Sequence, residues 1–242
     1  MDKSVLDPEI AAFLETMARA WSAYPPFMTM PLADARAAAE KVRAPWTRGG
    51  PAMKRIFDLP VPVSGGELRI RVYDPGITAE APVLIYLHGG GFTLFSLDTH
   101  DRLMREYAAS AGLLVVGVDY PLSPEVRYPV ALDQLVELID WLASGGAGVF
   151  GGDPARLAIG GDSAGANLSL AAALRLRDRG APTLLRALLL NYGGFTGRCS
   201  DEAEARYGGP GSVLDRAEVE YYFENYLGAG RFESDDSYAC QT

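Results

Sequence analysis

The chain has 242 residues, 48% of them hydrophobic and 22% charged, a balance ordinary for a soluble globular domain long enough to bury a sizeable core. Its formal net charge of −9 argues against a nucleic-acid partner, and no stretch reaches the roughly 18 apolar residues of a membrane span. Two cysteines and two histidines are too few for a disulfide framework or a His-rich metal site, so neither metal nor organic cofactor is expected. Asp2, Asp7, Glu9 and Glu15 interrupt any apolar run at the N-terminus, so no signal peptide is read there and a cytoplasmic location is expected.

In chain order, Ile10, Phe13, Leu14, Met17 and Trp21 fall near helical spacing, and Tyr24-Pro25-Pro26 stops that helix. A second helix is predicted over Leu32–Val42, with Pro45 and Gly49-Gly50-Pro51 closing the segment. Residues 1–50 are therefore set apart as a helical unit, followed by a core over 51–242. Arg55–Val63 and Glu67–Tyr73 read as two strands joined at Ser64-Gly65-Gly66, a hairpin signal. From there strands and helices alternate. Short, almost wholly apolar strands are predicted at Val83–Leu87, Leu113–Val118, Leu157–Gly160 and Leu184–Leu190. Helices are predicted at Asp98–Ala111, Val130–Leu142, Ala164–Arg179 and Asp215–Leu227. This alternation implies an α/β fold with a mostly parallel sheet and helices on both faces.

Two motifs carry chemistry. Gly161-Asp162-Ser163-Ala164-Gly165 lies between a strand and a helix, the context in which G-x-S-x-G forms a nucleophile elbow. The bare pattern arises by chance about once in six chains of this composition, so the context carries the weight. The helix N-terminus would bring its positive dipole end and free N–H groups to the serine. The second motif, His88-Gly89-Gly90-Gly91, follows the strand at 83–87 and has a chance frequency on the order of a few in a thousand. Three successive glycines let backbone N–H groups turn into a cavity, where they can hold a developing oxyanion. Gly146-Ala147-Gly148-Val149-Phe150-Gly151 also matches a dinucleotide fingerprint, but it follows a helix and precedes a strand, the reverse of what that site requires.

With the runs LRIRVYDP (68–75), YLHGGGFTLFSLDTHD (86–101), VVGVDYPLSPEVRYPVALDQ (115–134) and GGDPARLAIGGDSAGANLSLAAAL (151–174), the chain resembles the hormone-sensitive-lipase family of α/β-hydrolase fold esterases. Pro121 and Ser123 depart from that family's usual D-Y-R-L-A-P-E segment. The resemblance implies Ser163 as nucleophile, the amides of Gly90, Gly91 and Ala164 as oxyanion donors with Gly89 shaping the loop, and His88 as the brace of that loop. Gly161, Asp162 and Gly165 complete the elbow. It also implies a helical cap made of residues 1–50 and an insertion at about 197–230, and a small or short-chain ester as substrate. The aromatic residues Tyr221, Tyr222, Phe223 and Tyr226 either line the substrate pocket from that cap or pack on the core.

One feature departs from the family. Its triad runs Ser, then Asp or Glu, then His, yet no histidine follows Ser163. The chain ends at Thr242, about where the next strand of that fold is expected, so the acid and histidine are expected beyond residue 242 and the sheet is expected to be cut short. His88 belongs to the glycine loop, and His100 reads as a capping or packing residue in the first turn of a helix. Asp235 and Asp236 fall in an expected surface loop. The alternatives to an esterase are a catalytically dead small-molecule-binding protein and an inactive fragment. The apolar strand at 184–190 is expected to offer an unprotected edge, open to pairing in a homodimer.

Overall fold

The computed structural model describes residues 7–78, 80–209 and 212–241. A six-stranded sheet organises them. Its strands are β1 (Arg55–Val63), β2 (Gly66–Asp74), β3 (Ala81–Leu87), β4 (Leu114–Val118), β5 (Gly152–Asp162) and β6 (Leu185–Asn191). They lie side by side in the order β1-β2-β4-β3-β5-β6. β1 and β2 form the antiparallel hairpin read at Ser64–Gly66, and β2 runs antiparallel to β4. β4, β3, β5 and β6 are mutually parallel. The seven α-helices among the described residues are α1 (Pro8–Trp21), α2 (Leu32–Thr47), α3 (Asp101–Ala111), α4 (Val130–Ala143), α5 (Ala164–Asp178), α6 (Asp201–Tyr207) and α7 (Arg216–Leu227).

The continuous apolar runs are explained by what lies on each face. Side chains alternate along a strand, and in β3 Val83, Ile85 and Leu87 enter a large core shared with α4 and α5, while Leu84 and Tyr86 enter a smaller one shared with α3. β4 divides likewise, with Leu114, Val116 and Val118 on one side and Val115 on the other. Both faces of the central strands are therefore covered, as the parallel arrangement requires.

Local signals set several element ends. Gly112 adopts the left-handed conformation at the end of α3 (φ 62°, ψ 48°), which a glycine enters without Cβ strain. Asp215 caps α7 through a reciprocal capping box with Glu218. Three elements differ from the sequence pattern. α2 runs on to Thr47 with Pro45 inside it: a proline in the last turn forfeits one hydrogen bond, and the edge-to-face contact of Trp46 with Phe13 of α1 (5.2 Å between ring centroids) gives that turn a packing partner. β5 begins at Gly152, five residues before the apolar run, because Gly152 pairs with Ala81 of β3. Residues 98–100 form a 3-10 turn, so α3 proper starts at Asp101.

β6 is the edge of the sheet and pairs with β5 alone among the described residues. Its Leu188 is 42% exposed, and a groove of about 320 Å³ runs along it between Leu176, Pro182 and Leu188.

Candidate active site

β5 delivers Gly160, Gly161 and Asp162 to the carboxyl end of the parallel strands, and the chain then reverses at Ser163 into α5. Ser163 stands at φ 52° and ψ −116°, a conformation that costs a non-glycine residue about 1–3 kcal/mol and persists only where the surroundings impose it. They do so by crowding. A Cβ on Gly165 would fall 2.0 Å from the carbonyl oxygen of Leu87, so the first turn of α5 lies directly on the end of β3. The Ser163 N–H donates to Asn191 O (3.0 Å), which ties the turn to the end of β6. Ser163 occupies the N-cap position of α5, yet its hydroxyl makes no capping bond. Among the described residues, the Ala164 amide donates to no acceptor, as expected of a first-turn N–H.

The glycine loop leaves the neighbouring strand, β3. His88 is buried, and its Nδ1 lies 2.7 Å from Gly89 O. A carbonyl only accepts, so Nδ1 carries the proton. Burial, with His100 nearby, lowers the His88 pKa to about 3 and keeps the ring neutral. The peptide joining Gly89 to Gly90 is planar and trans, so holding its carbonyl toward His88 points the Gly90 N–H the opposite way. Gly90 and Gly91 both take positive φ, and Gly90 O accepts from the N–H groups of Thr93 (3.0 Å) and Leu94 (2.8 Å), closing a tight turn. The amides of Gly90 and Gly91 donate to no acceptor among the described residues. Tyr120 backs the loop: its ring stacks on His88 (4.5 Å) and its hydroxyl donates to His88 O (2.8 Å).

Asp162 joins the two motifs. Its buried carboxylate accepts from the Tyr86 hydroxyl at Oδ1 (2.9 Å) and lies 3.4 Å from His100 Nε2 at Oδ2. Burial alone would push this carboxyl up, but the hydrogen bonds from His100 and Tyr86 outweigh it and hold the pKa below the ordinary aspartate value. His100 is accordingly not the helix cap that its position in the sequence allowed. It sits at the N-cap of α3 without a capping bond, and its ring turns inward to Asp162 and Thr99.

Two elements outside the sheet close over the glycine loop. From α2, Arg36 donates to Thr93 O (2.8 Å) and Ser123 O (3.0 Å) and forms a two-pronged ion pair with Glu125. From α7, the ring of Tyr222 covers Gly91 so closely that a Cβ there would stand 2.2 Å from it. Phe27 stacks on Tyr222 (5.7 Å, 17° between planes). The aromatic set of α7 thus divides. Phe223 and Tyr226 are buried against Phe92 in the core, whereas Tyr222 faces the loop. Arg36 and Tyr222's partner Phe27 carried no motif in the sequence; only the fold brings them here.

No side chain among the described residues hydrogen-bonds the Ser163 hydroxyl. Both hydrogen-bond contacts of the His88 ring fall on Nδ1, which faces Gly89 O and the Tyr120 hydroxyl, and the ring nitrogens of His100 face Thr99 and Asp162. Asp236 accepts from the Tyr128 hydroxyl (2.5 Å) and is committed there.

This architecture has many solved counterparts. An esterase from Pyrobaculum calidifontis superposes with a TM-score of 0.84 at 30% identity, covering 98% of this chain and 74% of that one. A thermophilic carboxylesterase cloned from a metagenomic library superposes with a TM-score of 0.80 at 30% identity, covering 88% of this chain and 73% of that one. An acetyl esterase of Salmonella choleraesuis is 40% identical over 184 residues, which is 75% of this chain and 55% of the relative, so the chain spans about half the length of the curated relatives it matches. The family described as alpha/beta hydrolase fold matches residues 84–241, which includes both the glycine loop and the elbow. The chain belongs to that family, in its hormone-sensitive-lipase-like branch.

Proposed function

We propose that this chain carries the nucleophile and oxyanion machinery of a carboxylic ester hydrolase. In this reading the Ser163 hydroxyl oxygen attacks the ester carbonyl carbon. The amides of Gly90, Gly91 and Ala164 hold the resulting oxyanion, Gly89 shapes the loop, and His88 braces it. The tetrahedral species expels the alcohol, and water then releases the acid from the acyl-serine. The observation that carries the reading is a strained serine whose hydroxyl makes no capping bond, at a turn whose Gly165 packs on the Leu87 and His88 carbonyls where the glycine loop begins, with the amides of Gly90, Gly91 and Ala164 unpartnered among the described residues. The acetyl esterases among the relatives support a small or short-chain acyl group. The helices of residues 8–47 and 201–227 act as a cap, a role supported by Arg36 on Thr93 and Tyr222 on Gly91.

Among the described residues no acid or histidine hydrogen-bonds the Ser163 hydroxyl, and this reading assigns neither the triad acid nor the base to one of them. The test is hydrolysis of p-nitrophenyl acetate by this chain and by its Ser163→Ala variant. The expected rate is slow and serine-dependent, because without a base only binding and the oxyanion amides remain, a residual of ~10³–10⁴ over water. Turnover near the ~10 s⁻¹ of a typical enzyme would mean that a histidine of this chain, or a second chain, supplies the base. A rate unchanged by Ser163→Ala would overturn the reading. A second reading is a small-molecule-binding protein without turnover, consistent with a Ser163 hydroxyl that no side chain among the described residues hydrogen-bonds. Saturable ester binding with no serine-dependent hydrolysis would select it.

Two further parts belong to the proposal. Neither cysteine is paired with another, and no helix among the described residues is long and apolar enough to cross a membrane; both fit a cytoplasmic location. Two copies associate through β6, whose outer side has no strand partner among the described residues and whose Leu188 is exposed. Light scattering on the 26 kDa chain is expected to find a species of twice that mass, and a stable monomer overturns this part.

A further inference from the structure

The loop that carries Gly90 and Gly91 begins at His88 and ends in the 3-10 turn at Asp98–His100. The carboxylate of Asp162, the residue just before Ser163, touches the strand before this loop at one point and the loop itself at two. Before it, Tyr86 donates to Oδ1 (2.9 Å). At its first glycine, a Cβ on Gly89 would stand 2.4 Å from Oδ2 and 2.9 Å from the Asp162 carbonyl oxygen, so the carboxylate rests on the Gly89 backbone. At its far end, His100 Nε2 reaches Oδ2 (3.4 Å). The Tyr192 hydroxyl, arriving from the segment after β6, is the remaining donor, at 3.5 Å from Oδ2.

We propose that His100 is a positioning residue for the oxyanion amides. It acts through Asp162, fixing the far end of the glycine loop to the residue that precedes the nucleophile. This rests on the ester-hydrolase reading of the site and adds a residue that reading does not use.

The chemistry of the contact supports a definite form of the ring. An ionised carboxylate accepts and does not donate, so the proton of the contact resides on Nε2 of His100. The other nitrogen is committed as well, because Nδ1 lies 2.9 Å from Thr99 Oγ1. That hydroxyl accepts from the Ser96 N–H (3.1 Å), and its single proton goes to His100 Nδ1 when the ring carries Nε2–H, with Ser96 O (2.8 Å) the competing acceptor. Ser96, Thr99, His100 and Asp162 therefore form one buried chain of hydrogen bonds, from the back of the loop to the elbow. Such a chain is costly to leave half satisfied and rigid when complete. Packing alone does not explain it, since an apolar ring of the same size would fill the space and leave the buried carboxylate short of a donor. The two histidines lie 5.4 Å apart between ring centroids, yet they serve opposite tasks. His88 holds a carbonyl with Nδ1–H, and His100 holds a carboxylate with Nε2–H.

Because the chain has two histidines, long-range ¹H–¹⁵N correlation spectra of histidine-labelled protein test this directly. The expected result is opposite ring protonation: a proton on Nε2 of His100 and on Nδ1, not Nε2, of His88. Amide spectra of two variants then test the positioning role. His100→Phe keeps a ring but removes the donor, and it is expected to shift the Gly90 and Gly91 amide signals while those of Gly65 and Gly112, in remote turns, stay in place. His100→Gln restores a side-chain N–H donor and is expected to move the two loop signals back toward their original positions. A His100 ring protonated on Nδ1 alone overturns the proposal, and so does a folded His100→Phe protein with unmoved Gly90 and Gly91 signals. If His100→Phe does not fold, the ring protonation of the unaltered protein decides. None of these readouts needs turnover, so failure of the ester-hydrolase reading and failure of this proposal are told apart.

Discussion

β3 and β6 are built from similar residues and meet opposite fates. β3 reads VLIYL, and each of those side chains is at least 95% shielded, covered by a strand on either side and a helix on either face. β6 reads LRALLLN, is nearly as apolar, and lies half open at the sheet edge. Closeness of packing follows the same divide. Around Ser163, glycines at 89, 90, 161 and 165 let backbone approach backbone, so that an added Cβ at any of them would overlap a neighbouring atom. The outer side of β6 has no such cover among the described residues, and Leu188 is 42% exposed there. Strain is therefore held where the surroundings over-determine the backbone, and association surface is available where they do not.

The largest test of this contrast is steric. Gly165→Val would place a side chain onto the Leu87 and His88 carbonyl oxygens, and it is expected to prevent stable folding, visible as loss of a cooperative thermal transition. Gly112→Ala, at a left-handed position with open space around it, is expected to cost only about 1 kcal/mol. Equal tolerance at the two glycines would mean that the elbow is less tightly determined than its geometry indicates.

The next test is the pH dependence of stability. His88 is held neutral, with a folded pKa near 3 against an ordinary value of 6.5. As pH falls below 6.5 the unfolded chain takes up a proton that the folded one refuses, so stability declines from there toward pH 3, by up to ~1.4 kcal/mol per pH unit. Asp162 acts in the same direction further into acid. Its folded pKa is lowered, so its contribution is present above the ordinary aspartate range and is lost as pH falls through the folded value. Urea midpoints measured from pH 7 to 4 should fall, and His88→Gln should flatten the upper part of that slope. A flat profile in the original protein would remove the case for a buried neutral His88.

The smallest expected effect on stability lies at the edge strand. Leu188→Lys puts a charge on exposed surface and is expected to change the unfolding free energy by less than about 0.5 kcal/mol. Its effect on assembly should be large, converting the dimer proposed above to monomer in light scattering, because charged edge positions oppose strand pairing.

Much of this was legible before any coordinates. The strand boundaries at 55–63 and near 83–87, and the ends of α5 and α7, follow from alternation, capping residues and glycine stops, which are local. The two glycine motifs were legible because backbone turns of that kind admit few other residues. The extension of β5 back to Gly152 was hidden, since it depends on pairing with Ala81 rather than on its own composition.

His100 shows where the sequence stops. Its position beside a helix start made capping or packing the expectation; the ring is buried, and only the approach of β5 gave it Asp162 as a partner. The sequence by itself determined the element order, the family, and which serine and which glycines could serve one site, because short-range backbone chemistry fixes those. The tertiary structure decided which apolar strand is central and which is the edge, that Tyr222 and Phe27 cover Gly91 while Phe223 enters the core, and that one carboxylate joins both motifs. Each of these depends on contacts between residues tens of positions apart, where the identity of a partner is set by the path of the whole chain and not by the pattern on either side of it.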